Sequence, residues 1–163
     1  MTKWIALVAL TLALPASALA QKKATLTPAD YEEIRGLYAK YSYGFDNGDP
    51  KLVASVYTPD AQFIVGGKPA GANRDAITAM VRPVAPGKGQ MKHMPSNIAI
   101  EPSADGAAGM AYVALVTFEG GKPPVVTGGG WYHDTLVKTA EGWRFKKRDY
   151  QPFPLPVAAA PAP

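Results

Sequence analysis

A chain of 163 residues with 17 basic and 13 acidic side chains, and a formal net charge of +4, suits one compact domain with a real core and is too short for two. That charge excess is too small to mark a polyanion-binding surface, and the basic clusters Lys22-Lys23 and Lys146-Lys147-Arg148 lack interleaved aromatic residues, so they read as solvated surface and no nucleic-acid partner is expected. Cysteine is absent, which excludes disulfides, a thiol nucleophile and a thiolate metal site.

The first twenty residues read as an export signal. Lys3 supplies the charged start, Trp4 to Leu14 an apolar run too short to cross a bilayer, and Ala18-Leu19-Ala20 a small-x-small cleavage site. A periplasmic or secreted protein is expected, with no membrane association after processing. Thr27-Pro28-Ala29-Asp30 then combines an N-cap threonine, a first-turn proline and an acid near the positive end of the helix dipole. Ile34, Leu37, Tyr38, Tyr41 and Phe45 recur at three- and four-residue spacing, so one face of this first helix is apolar and Asp46 sits at its end. Asn47-Gly48 stops the helix, and Asp49-Pro50 caps a second one that presents Leu52, Val53, Val56 and Tyr57. Thr58-Pro59-Asp60 is expected to break it before a strand at Phe63-Ile64-Val65.

Gly66 to Gly71 reads as loop, and Asn73 as the cap of a third helix whose Ile77, Met80 and Val81 share a face. Proline and glycine between Arg82 and Gln90 predict an irregular connection placed to cover a pocket. Strands follow at Lys92 to Glu101, Ala107 to Phe118, Val125 to Thr139 and Trp143 to Gln151, separated by turns at Ser103-Ala104-Asp105-Gly106, at Gly120 to Pro124 and at Ala140-Glu141-Gly142. Helices first and an antiparallel meander after is an α+β order. Residues 26–152 are the expected domain, and the Pro/Ala tail over 153–163 has no periodic apolar face to dock.

Four segments, taken together, carry a resemblance. They are Phe45-Asp46-Asn47-Gly48-Asp49, Tyr57-Thr58-Pro59-Asp60-Ala61, His93 to Glu101, and Tyr132 to Lys138 followed by Gly142-Trp143-Arg144-Phe145. In this order they resemble the SnoaL-like branch of the nuclear transport factor two-like superfamily. The resemblance implies a cone-like curved antiparallel sheet wrapped around the N-terminal helices, an α+β barrel with an apolar pocket, often dimeric through the sheet. It also implies cofactor-free chemistry in some members (isomerases, dehydratases and polyketide cyclases) and plain binding or assembly in others. Asp46 and His93 match the aspartate and the first histidine of scytalone dehydratase. The position of its tyrosine is Phe45 here, and its second histidine falls near Thr117 or Phe118.

The candidate catalytic pair is therefore Asp46 and His93. In one reading Asp46 removes a proton next to a carbonyl while His93, with Tyr132 or Tyr41, holds the oxygen that gains charge. In the other, Asp46 only ends its helix, His93 is structural, and the domain binds a ligand or assembles without turnover. Tyr41, Phe45, Asn97 and Tyr132 are the candidate substrate contacts, for a small and largely apolar molecule. Strict alternation puts His93, Pro95, Asn97 and Glu101 on one strand face, unless a bulge at Pro95 re-aims it. Gly128-Gly129-Gly130 lets its strand curve or lets a ligand approach the backbone. No two histidines share metal-ligand spacing, so neither a metal nor another cofactor is expected. Apolar residues on both faces of the strands, Val113 and Leu115 against Ala114 and Val116, predict a homodimer through the outer sheet face.

Overall fold

The computed structural model describes residues 25–83 and 90–154. The segment expected to be an export signal, most of the proline- and glycine-rich connection and the tail beyond residue 154 lie outside the described residues. Helix α1, Pro28–Asp46, begins as its sequence dictates: the Thr27 hydroxyl accepts from the Asp30 main chain, and the Asp30 carboxylate accepts from the Thr27 N–H in return. Ile34, Leu37, Tyr38 and Tyr41 are buried along its apolar face and Phe45 is half-buried.

Short helices α2, Pro50–Ala54, and α3, Arg74–Thr78, are capped by Asp49 and Asn73. Both are shorter than the apolar spacing predicts, and Met80 and Val81 follow α3 rather than extend it, though both still pack against the core. Strand β1, Tyr57–Val65, already includes Thr58-Pro59-Asp60, so that triplet does not break a helix. An irregular register between Tyr57 and Gln62 takes up Pro59, which has no N–H to contribute to a ladder. The expected loop after β1 contains a short edge strand, β2, Lys68–Gly71. The meander follows as β3, Gln90–Ser103; β4, Gly106–Phe118; β5, Val125–Thr139; and β6, Gly142–Pro152.

The six strands form one curved, unclosed sheet in the order β2-β1-β6-β5-β4-β3, α+β as expected. Every ladder is antiparallel except β1 with β6. Gly130 is explained by close approach of backbone rather than by a ligand: a Cβ there would collide with the Gln151 carbonyl and lie 2.6 Å from the Tyr150 ring. Phe153, read as the start of the tail, is tied in by its N–H, which donates to the Gly129 carbonyl at 2.9 Å, and by its ring 4.4 Å from Trp131.

The expectation that Lys146-Lys147-Arg148 is solvated fails at Arg148, which is fully buried. Its Nε and Nη2 donate to the two carboxylate oxygens of Asp134 at 2.9 and 2.8 Å. The guanidinium carbon lies 4.0 to 4.2 Å from the ring centres of Tyr132, Phe145 and Tyr41, and 5.1 Å from that of Tyr38. Strict alternation from Phe145 would bury Lys147; a register shift against β5, where Leu136 stands opposite Phe145 and Thr135 opposite Lys147, leaves Lys146 as an extra residue and turns Arg148 inward with Phe145. Burial works against the guanidinium charge, but the Asp134 carboxylate outweighs it and leaves the group held firmly protonated.

Removing one partner of such a pair strands a charge in the core. Arg148→Ala is expected to cost about 3–5 kcal/mol in urea unfolding, whereas the double replacement Asp134→Leu with Arg148→Met regains most of it, because no unpaired charge is then buried.

Candidate functional site

Asp46 closes α1 at the negative end of the helix dipole, where a carboxylate is disfavoured and no basic residue of the last turn compensates it. Compensation comes from β3. The His93 main-chain N–H donates to both Asp46 oxygens at 3.0 and 3.2 Å, and Nδ1 of the His93 ring lies 2.6 Å from Oδ1. Lys92 Nζ donates to the Asp46 main-chain carbonyl at 3.0 Å, supplying the cation that the helix end lacks. Both dyad side chains are largely withdrawn from water, 5% exposed for Asp46 and 13% for His93.

A carboxylate can only accept, so the short Nδ1 contact places a proton on that nitrogen, and in the neutral ring Nε2 is then the acceptor. Nε2 has no hydrogen-bond partner among the described residues. The ring is set edge-on to Tyr41, with centroids 5.9 Å apart, and tilted against Phe45 at 6.0 Å. Asp46 and His93 line one groove of about 650 Å³ between the C-terminal half of α1 and the edge strand β3, with Ser42, Lys92, Met94 and Pro95 among its walls.

Of the residues singled out from sequence, Asp46, His93, Tyr41 and Phe45 are thus brought together. Tyr41 acts as a wall behind the histidine: it is buried, with its ring over the Arg148 guanidinium. Tyr132 is likewise buried, in T-shaped contact with Tyr41 at 5.9 Å, and does not line the groove. Burial first of all pushes both tyrosine hydroxyls above their usual range, and the Arg148 charge only partly opposes this.

Asn97 is exposed and also absent from the groove wall, because a bulge is present not at Pro95, where the sequence left one open, but two residues further on. Ser96 stands opposite Tyr112 and Ala99 opposite Met110, so Asn97 and Ile98 share the place opposite Ala111. Asn97 takes the left-handed conformation this needs, φ 52°, which asparagine tolerates better than most residues. Before the bulge His93 and Pro95 face the groove, and after it Ile98 and Ile100 pack on the core. Sequence reasoning missed Ser42, a buried groove residue four before Asp46 on the same helix face; that spacing was the available signal.

Among the described residues no group of three metal-ligating side chains converges. The model of the SnoaL-like domain matches residues 27–149. Solved structures similar to the chain include ActVI-ORFA of Streptomyces coelicolor, 24% identical with a TM-score of 0.69 over 77% of this chain and 98% of that one. A scytalone dehydratase candidate from Novosphingobium aromaticivorans is 25% identical, TM-score 0.62, over 76% and 84%. A Catenulispora acidiphila protein solved in complex with S-DNPA is 25% identical, TM-score 0.65, over 77% and 95%. No protein of curated function matches the chain.

The dyad geometry has a direct spectroscopic signature. Nitrogen-15 NMR of the neutral His93 ring is expected to report the Nδ1–H tautomer in the native chain, and Asp46→Ala is expected to shift the ring toward the Nε2–H form that free imidazole side chains favour.

Proposed function

The chain belongs to the SnoaL-like domain family, and from that membership together with the Asp46–His93 pair we propose an exported enzyme that moves a proton next to a carbonyl without a cofactor, in the isomerase, dehydratase or cyclase class. The observation that carries this reading is the Nδ1-to-Oδ1 bond, which in the neutral ring makes Nε2 of a groove-lining histidine the proton acceptor. The roles differ from those expected from sequence. There Asp46 is the base; in this geometry its two oxygens are occupied by the His93 N–H and ring, so His93 is the base and Asp46 holds its tautomer and orientation.

The substrate is a small, mainly apolar carbonyl compound, in keeping with groove walls that include Met94, Pro95 and Ala114. Transfer begins when Nε2 takes a proton from the carbon beside the carbonyl and the electron pair moves onto the carbonyl oxygen. Return of the proton to another carbon is isomerisation; departure of a β-hydroxyl as water is dehydration. The rival reading, binding without turnover, is favoured by Thr117 and Phe118 standing where the resemblance to scytalone dehydratase asks for a second histidine; Thr117 instead bonds to Thr127 at 3.0 Å on an exposed hairpin.

Exchange of the acidic protons of 2-tetralone in deuterated water, followed by proton NMR, separates the readings. The native chain is expected to accelerate exchange, and His93→Gln and Asp46→Asn each to reduce that acceleration by about 10²- to 10⁴-fold. Acceleration untouched by His93→Gln would end the catalytic reading. The proposal extends to a homodimer through the outer sheet face, where Met110 and Tyr112 are each exposed by 44% or more. Light scattering is expected to give twice the chain mass at micromolar concentration, and a stable monomer would remove the dimer.

A further inference from the structure

We propose that Ser42 and Lys92 hold the oxygen that becomes negative during the reaction, the role that the sequence reading gave to His93 with Tyr132 or Tyr41. This inference rests on the proton-transfer reading above and names the partners that reading leaves unassigned. Ser42 lies four residues before Asp46, on the same side of α1. It is 7% exposed, it lines the groove, and its hydroxyl has no hydrogen-bond partner. A helical serine without other partners ordinarily returns its hydroxyl to the carbonyl one turn back. This one does not, so a residue of the groove wall carries a buried hydroxyl with no partner.

Lys92 lies beside His93 and lines the same groove. Its Nζ donates one proton to the Asp46 main-chain carbonyl, which leaves two of its three hydrogens, and it makes no ion pair among the described residues. The Asp46 carboxylate does not neutralise it by contact, because that group is committed to the His93 N–H and ring. The groove wall therefore carries His93 together with a hydroxyl that has no partner and an ammonium that has no ion-pair partner among the described residues. When Nε2 takes the carbon-bound proton, the C–H electron pair forms the new C=C bond and the carbonyl π pair moves to oxygen. That oxygen accepts hydrogen bonds from the Ser42 O–H and the Lys92 ammonium, two donors fixed before charge develops. Tyr41 and Tyr132 cannot serve in this way, since they are packed over the Arg148 guanidinium behind the groove wall.

The ligand class follows: an apolar carbonyl compound whose enolate is held more tightly than its ketone. The test uses 4-nitrophenol as a stable mimic of that enolate and 4-nitroanisole as its neutral methyl ether, titrated into the full chain at a pH where the free phenol is mostly protonated. The bound phenol is expected to show the phenolate absorption band, with affinity at least about tenfold above that of the ether. Lys92→Met and Ser42→Ala are each expected to weaken phenolate binding about tenfold and leave ether binding unchanged, and Lys92→Arg to restore it. Circular dichroism of each variant matching the native chain makes the comparison one of folded proteins. A bound probe that stays protonated, no binding of the phenol at all, or equal phenolate affinity in Lys92→Met would overturn the assignment. Because binding is read without turnover, these failures are separate from a failure of 2-tetralone exchange, which would overturn the proton-transfer reading alone.

Discussion

A buried guanidinium cannot stand alone in a protein core, and the Arg148–Asp134 pair is the constraint around which the rest of the cone is arranged. Two parallel hydrogen bonds fix its plane between β5 and β6. Four aromatic rings from α1, β5 and β6 then close over it. Two of those rings, Tyr38 and Tyr41, belong to the middle of α1, so the charge pair sets where the helix lies across the sheet. The helix is also pinned at both ends by its own acids. Near its start Asp30 accepts from Lys138 and from the Trp143 indole, at 2.7 and 2.8 Å. At its close Asp46 accepts from His93.

Those three attachments place the site. Tyr41 has Arg148 on one side and the His93 ring on another, so the histidine rests against a wall held rigid by the ion pair. The acid at the negative helix end is an unfavourable choice for the helix taken alone. It is met by a strand N–H, a ring nitrogen and the neighbouring lysine, an arrangement in which local cost and site geometry have the same origin.

What was legible in the sequence was what depends on neighbours in the chain. The Thr27-Asp30 capping box, the buried stripe of α1 and the four long strands follow from spacing and turn chemistry, and the family resemblance rests on segments that the fold indeed brings around one cone. Asp46 and His93 were legible as candidates; their contact, across 47 positions of chain, was carried by the resemblance and not by periodicity. Arg148 was not legible: Lys146 and Lys147 look like surface, counting forward by two from the buried Trp143 and Phe145 reaches Lys147, and only the register shift against β5 brings Arg148 inward. Tyr41 and Tyr132 were read as polar contacts for a ligand, and burial over a cation turned them into wall. Thr58-Pro59-Asp60 signals a break in any helix, yet a parallel neighbour, β6, stabilises extended backbone there with a local irregularity.

The bulge at Asn97 makes β3 behave like a message with a corrected reading frame. Each strand position is assigned to inside or outside by parity alone, and one supernumerary residue inverts the assignment for everything downstream of it. The histidine half of the strand and the isoleucine half thus obey opposite parities. Substitutions within β3 can alter either half, but no substitution can exchange which half faces inward. Only an insertion or deletion does that, and it would move every side chain on one side of the lesion at once. The position of His93 relative to Ile98 is therefore inherited as a length, while the chemistry of each is inherited as a residue, and the two are free to vary independently among chains built on this cone.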